Sequence, residues 1–428
     1  MNALWITNIP IGDISREMFN RPMGGLWMDA LLTNLKNNEA IKHIIVTTSP
    51  TTQIIKKTYD HITYYLLPGG FPVGYKRNVA IAKSEWKSII ETESIDFILV
   101  WGTEYAHAIP ALEVAKGMGI PSVIYIQGIM KAISRFADGL VPYTTMLKYT
   151  TLRDVYRGQM WCRQNKWFER RAKVEERLIK LSGSIIVENN WAELFCKSIN
   201  PDLSIYRVPL NINKVFYENK WKLENVKPHT IISNASGPAY KGIHNILYAL
   251  PYVKRFYPDV KLYIPGRSML TNSIISRQKK PGYYSYVTDF IKEHDLYDNV
   301  EFTGYLTQEQ LAKKLSETNI FVLSSSIENH SSSLKEAMAV GTPAIASQVG
   351  GVPEYFEYGI CGYSFRYEEY ESLAGYICKL FSDIDLCKRF SENSKNKVRE
   401  VSEEKITQLV LDMYNDLYKK RNNEQQEF

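Results

Sequence analysis

Short runs of apolar and β-branched residues alternate along the chain with longer stretches whose apolar positions recur at helical spacing. Runs at 3–9, 43–48, 62–67, 96–101, 121–126 and 184–188 predict strands, with helices at 25–37, 80–92, 108–118 and 148–181. After Val208-Pro209-Leu210-Asn211 the pattern restarts, with strands at 230–234, 260–264, 299–303, 319–324, 342–347 and 361–365. Continuous apolar strands separated by helices indicate parallel sheets covered on both faces. The expected fold class is therefore α/β, with two doubly wound domains facing each other across a cleft. The expected boundaries are 1–208, 209–400 and a C-terminal helix at 401–420, for which either domain could supply the covering surface. That helix carries Ile406, Leu409, Val410, Met413, Tyr414 and Leu417 on one face and needs an apolar surface to rest on.

Composition changes this picture little. The 428 residues are 45% hydrophobic and 23% charged, enough for two or three domains with sizeable cores. Met1-Asn2 leads straight into a strand pattern, and no run of about 18 apolar residues occurs. Five scattered cysteines without a C-x-x-C pair fit a reducing cytoplasm and argue against zinc. The net charge of +6 matters more, because residues 148–180 hold ten basic and four acidic side chains. Trp161, Trp167 and Phe168 are interleaved with them. Two readings stay open for this window: a surface that meets an anionic membrane, or a long solvated helix with its aromatics turned inward. No recognised nucleic-acid module accompanies the patch, so a nucleic-acid partner is not expected.

Candidate chemistry concentrates in the second half, at predicted strand ends. Glu328-Asn329-His330-Ser331-Ser332-Ser333-Leu334-Lys335-Glu336 lies between an apolar strand and a helix. Serines suit a helix N-cap, and a helix start offers unpaired N–H groups and a positive dipole end to an anion such as a diphosphate. Ser236-Gly237 and Tyr240-Lys241-Gly242 follow the strand at 230–234, Gly266-Arg267 follows 260–264, and Gly350-Gly351-Val352-Pro353-Glu354 follows 342–347. Each has a plain structural explanation, since turns need glycine and helix starts favour carboxylates. Their convergence on one end of one domain points to a ligand site.

The order Lys241-Gly242, Val300-Glu301-Phe302-Thr303-Gly304, Glu328-x7-Glu336-Ala337-Met338-Ala339, Gly341-Thr342-Pro343 and Gly350-Gly351-Val352-Pro353-Glu354 resembles glycosyltransferase family 4, within the glycosyl transferases group 1. The resemblance is specific across about 230–365 and looser in the first half, where Gly24-Gly25 matches the family's glycine pair. It implies a GT-B fold of two Rossmann-like domains, a last helix at 401–420 that packs back on the N-terminal domain, and a retaining enzyme using a nucleoside-diphosphate-sugar. Glu336 would hold ribose hydroxyls, and Glu328 would contact the transferred sugar. Lys241 and the backbone N–H groups of Ser331, Ser332 and Ser333 would stabilise the departing diphosphate without a metal or cofactor. Gly25, Ser236, Gly237, Arg267, Asn329 and His330 complete the expected donor site. Three departures stand out: Ser236 occupies the family's arginine position, Asn329-His330-Ser331 replaces Gly-Phe-Gly, and Gln127 stands where the first half often carries a histidine. Gln127 becomes the candidate acceptor contact, able to hydrogen-bond a sugar hydroxyl but not to shuttle a proton, or else a loop amide with no catalytic part.

The expected function is sugar transfer to a glycan or lipid-linked acceptor in surface polysaccharide assembly. It would take place in the cytoplasm, with peripheral contact to the inner membrane face through 148–180. The alternatives are an epimerase or a phosphorylase on the same fold, or a sugar-nucleotide-binding protein without turnover.

Overall fold

The computed structural model describes residues 1–19, 26–36, 38–399 and 402–426. Two compact units emerge, one from 1–130, 170–211 and 401–428, the other from 131–169 and 212–400. The first unit is built on β1 (Asn2–Ile6), β2 (Lys42–Ser49), β3 (Ile55–Tyr59), β4 (Ile62–Pro68), β5 (Phe97–Trp101), β6 (Ser122–Tyr125), β7 (Ser184–Val187) and β8 (Ser204–Arg207). Their order is β3-β4-β2-β1-β5-β6-β7-β8, parallel throughout except for β3, which pairs antiparallel with β4 at the edge.

The faces of this sheet divide its apolar residues. On β1 and β5, Trp5, Phe97 and Leu99 belong to one core, and Leu4, Ile6, Ile98 and Val100 to the other. Side chains alternate along a strand, so a run that is apolar at every position serves both faces. The helix Glu403–Gln426 lays Ile406, Val410, Met413, Tyr414 and Leu417 on the first of these faces. There the Trp5 indole N–H donates to the Tyr414 hydroxyl at 2.7 Å.

The second unit is built on β9 (Lys227–Ile232), β10 (Lys261–Pro265), β11 (Val300–Gly304), β12 (Thr318–Leu323), β13 (Ala344–Ser347) and β14 (Gly362–Phe365). Its sheet runs β11-β10-β9-β12-β13-β14 with every pairing parallel. The chain winds outward from β9 to β11, then returns to lay β12 on the other side of β9. The carboxyl ends of β9 and β12 therefore form the switch point of the winding, where open α/β sheets place their ligands.

The structure departs from the sequence expectations in three places. Residues 131–169, expected in the first domain, pack with the second unit: Val141, Met146 and Trp161 enter its core, and the Ser326 hydroxyl donates to the Phe136 carbonyl at 3.0 Å. Apolar side chains follow the surface that covers them, not their place in the chain. The basic window is not one helix but Tyr143–Lys148, Leu152–Tyr156 and Gln164–Leu181. Thr151 starts the second with a capping box, and Gly158 at φ 61° ends its register. The strands β3 and β8 were not predicted; their half-exposed edge positions lack the apolar continuity of the buried strands.

Candidate functional site

The turn after β9 is shaped by close approach. Gly242 has φ 72°, and a Cβ there would run into the Ser324 carbonyl oxygen at the end of β12. Glycine permits both the left-handed backbone and the contact. Hydrogen bonds fasten the turn to the neighbouring loop: the Ser324 hydroxyl donates to the Lys241 carbonyl at 3.1 Å, and the Ser326 amide and hydroxyl to the Tyr240 carbonyl at 2.8 and 3.3 Å. The helix Ile243–Lys254 starts at once from Gly242.

The loop after β12 is stitched on its other side to β13. The Ser347 hydroxyl donates to the Ser325 carbonyl at 2.6 Å, and the Gly351 amide to the Glu328 carbonyl at 3.2 Å. The Gly350-Gly351 turn thus holds the glutamate loop in place. Ser331 caps the helix Ser332–Val340, its hydroxyl accepting from the Leu334 amide. Ser332 and Ser333 occupy the first two helical positions, whose amides find no carbonyl within the helix. The Ser331 amide itself donates to the Tyr355 hydroxyl at 3.0 Å, so it is already engaged, contrary to the expectation that it serves a diphosphate. Tyr355 also meets the His330 ring edge-on, with centroids 4.2 Å apart.

These turns bring Lys241 and Glu328 together, with Lys241 Nζ 2.5 Å from Glu328 Oε1, and the Ser325 hydroxyl donates to the same oxygen at 2.7 Å. The lysine side chain keeps 32% of its exposure and the glutamate 12%, so the pair is reachable from solvent but largely withdrawn. Burial alone would push the Lys241 ammonium down. The Glu328 carboxylate and the Tyr240 beside it outweigh that and leave it raised, hence charged at neutral pH. Glu336 stands in the same helix that Ser331 caps, and burial pushes its carboxyl up to about 7.

The remaining predicted residues fall as follows. Ser236 and Gly237 lie in the loop between β9 and Lys241, and the Ser236 hydroxyl donates to the Arg267 carbonyl at 3.4 Å. Arg267 follows β10, next to Gly266 at φ 113°, with its side chain exposed. Asn329 is buried in the glutamate loop. Gln127 sits half-buried after β6 in the first unit, and Gly25 lies outside the described residues. Sequence reasoning missed Ser325 and Tyr355. The serine run 324–326 at a strand end carried a signal for the first; nothing in the local pattern singled out the second. Among the described residues no group of three His, Cys, Asp or Glu side chains is placed to hold a metal ion. No described helix is long and apolar enough to cross a membrane.

Residues 216–397 match the family model for glycosyl transferases group 1. The second unit thus carries a region of that type, and Lys241, Glu328 and Glu336 all lie inside it. Among curated proteins, N-acetyl-alpha-D-glucosaminyl L-malate synthase of Bacillus anthracis is 30% identical over 132 residues, covering 31% of this chain and 34% of that protein. The amylovoran biosynthesis glycosyltransferase AmsK of Erwinia amylovora is 33% identical over 96 residues, covering 21% and 24%. The chain thus spans about a third or less of the length of these relatives. Among solved structures, sucrose-phosphate synthase from Thermosynechococcus elongatus superposes with a TM-score of 0.70 over 98% of this chain and 99% of that one, at 15% identity. The fold is GT-B: two α/β domains on parallel sheets.

Proposed function

We propose that the protein is a glycosyltransferase of family 4, moving a sugar from a nucleoside-diphosphate-sugar to a hydroxyl of a glycan or lipid-linked acceptor with retention of configuration. The observation that carries this reading is the Lys241–Glu328 pair at the β9/β12 switch point, beside the start of the helix Ser332–Val340. A cation and the Ser332 and Ser333 amides there suit a diphosphate leaving group, whose growing charge they stabilise without a metal. Glu328 releases Lys241 to the diphosphate and turns its carboxylate to the sugar. Glu336 accepts from ribose hydroxyls, and Arg267 supplies the positive charge that Ser236 lacks. The acceptor hydroxyl attacks on the face the diphosphate leaves, and a phosphate oxygen takes its proton. Gln127 hydrogen-bonds the acceptor. The relative named for amylovoran biosynthesis supports a biosynthetic setting; within this reading that setting is surface polysaccharide assembly, in the cytoplasm at the inner membrane face.

A panel of UDP-, GDP- and ADP-sugars tests the donor reading, because a ligand that binds only the folded state raises its melting temperature. One donor class is expected to raise it, and Lys241→Ala to abolish the shift. Donor hydrolysis and transfer by the wild type, lost in Glu328→Ala, then separate an enzyme from a binding protein. NMR of the product anomer tests retention. A panel in which no sugar nucleotide shifts melting overturns the proposal.

A further inference from the structure

The short helix Leu152–Tyr156 is amphipathic in the reverse sense. Its Asp154 is buried, and its Leu152, Val155 and Tyr156 are 71%, 60% and 92% exposed. Positions i, i+3 and i+4 share one helix face, so these three form a single outward stripe. The helix is held rigidly against another segment of the second unit. The Leu152 amide donates to the Gln278 side chain at 2.9 Å, the Thr151 hydroxyl to the Lys280 carbonyl at 3.0 Å, and the Gly282 amide to Asp154 Oδ2 at 2.8 Å. That second segment, the helix Ile274–Lys279, opens with Ile274 and Ile275, which are 81% and 67% exposed. Folding normally covers such side chains, and here two adjoining helices leave them all uncovered.

The surround of this ridge is basic. Residues 148–158 and 273–280 together hold six Lys and Arg side chains and one acid, the buried Asp154; Arg153 pairs with Asp154 and Arg277 with Asp289, and Lys148, Arg157 and Lys279 are exposed. Arg157 and Lys279 stand at the ends of the two helices. Aliphatic and tyrosine side chains that protrude among cations are complementary to an anionic bilayer surface. The apolar tips enter the headgroup layer while the cations meet lipid phosphates. A groove would favour a peptide, but side chains exposed to this degree form a crest. Of Trp161, Trp167 and Phe168 in the 148–180 window, Trp161 and Phe168 are buried, with the Trp161 indole N–H donating to the Asp138 carbonyl at 3.1 Å, and only Trp167 is exposed, outside this ridge.

We propose that this ridge, Leu152–Tyr156 with Ile274 and Ile275, seats the protein on an anionic membrane. The proposal deepens the membrane setting of the proposed function, yet it is read without donor or turnover, so the two fail separately. The test is co-sedimentation of the full chain with vesicles of phosphatidylcholine alone and of phosphatidylcholine mixed with phosphatidylglycerol. Binding is expected only to the mixed vesicles and should weaken as salt is raised. The variant Leu152→Ser/Tyr156→Ser/Ile274→Ser should lose about tenfold or more in binding through its apolar contacts. Arg157→Glu/Lys279→Glu should lose a similar factor through charge. All five positions are exposed, and an unchanged melting temperature confirms that the variants fold. Equal binding to both vesicle types, binding insensitive to either variant, or no binding at all overturns the proposal. So does concentration-dependent self-association that the serine variant abolishes, because the ridge would then be a contact between copies of this chain.

Discussion

The carboxyl ends of the two sheets share a topology and differ in charge. In the first unit, Glu175 is fully buried and accepts from the Met130 amide at 2.8 Å and the Thr103 hydroxyl at 3.1 Å, tying the β5 and β6 loops together. Glu104 lies nearby with its carboxyl raised by burial, and burial lowers His107 to about 4, leaving it neutral. That end keeps Glu175 and His107 buried and sets Arg171 against Glu104 and over the Tyr105 ring, so its charges are spent on one another. In the second unit the corresponding end offers Lys241, a helix start and glycine turns, which suit an anion. The lesson is that winding order places a site, while the few residues beyond the strand ends choose the charge of what binds there.

Four changes test that contrast, in descending order of effect. Lys241→Ala or Glu328→Ala removes the chemistry of the second end and should lower turnover by about 10²–10³-fold, read as initial rates of donor consumption. Gly242→Ala attacks the geometry instead, by combining a positive φ with a clash against the Ser324 carbonyl. It should cost roughly 2–3 kcal/mol in urea denaturation and weaken the donor-induced melting shift. Tyr414→Phe touches only the first unit and leaves the buried Trp5 indole N–H without its partner. A loss of about 1–2 kcal/mol is expected, with the donor-induced shift unchanged.

The smallest effect is a pH dependence. The folded protein raises Glu336 from 4.5 to about 7 and therefore binds its proton more tightly than the unfolded chain does. Its contribution to apo stability is full below about 4.5 and is lost as pH rises through about 7. Donor affinity should move the other way, rising several-fold between about pH 6 and pH 8 as the carboxylate forms and accepts from the ribose. Titration calorimetry across that range checks it, and Glu336→Gln should flatten the profile.

Much of the second unit was legible because its signals are local. Apolar runs gave the strands, and glycine, serine and carboxylate at their ends marked the loops that now meet at β9 and β12. The Lys241–Glu328 pair itself was not legible: the partners lie 87 positions apart, and only the return of β12 beside β9 joins them. Tyr355 was invisible for the same reason, since its hydroxyl reaches Ser331 from the turn after β13. The basic window misled in the opposite way. Charge and aromatic content were counted correctly, but burial sorted the side chains, taking Trp161 and Phe168 inside and leaving Leu152, Val155 and Tyr156 outside.

The sequence by itself determined two parallel α/β sheets, an amphipathic C-terminal helix and the residue types at the strand ends. These follow from periodicity and from the backbone preferences of single residues. Only the tertiary structure decided that 131–169 packs with the second unit, that the Ser331 amide is already bonded, and which apolar side chains face water. Such outcomes depend on which surfaces meet, and burial free energy is shared between partners that no local pattern pairs.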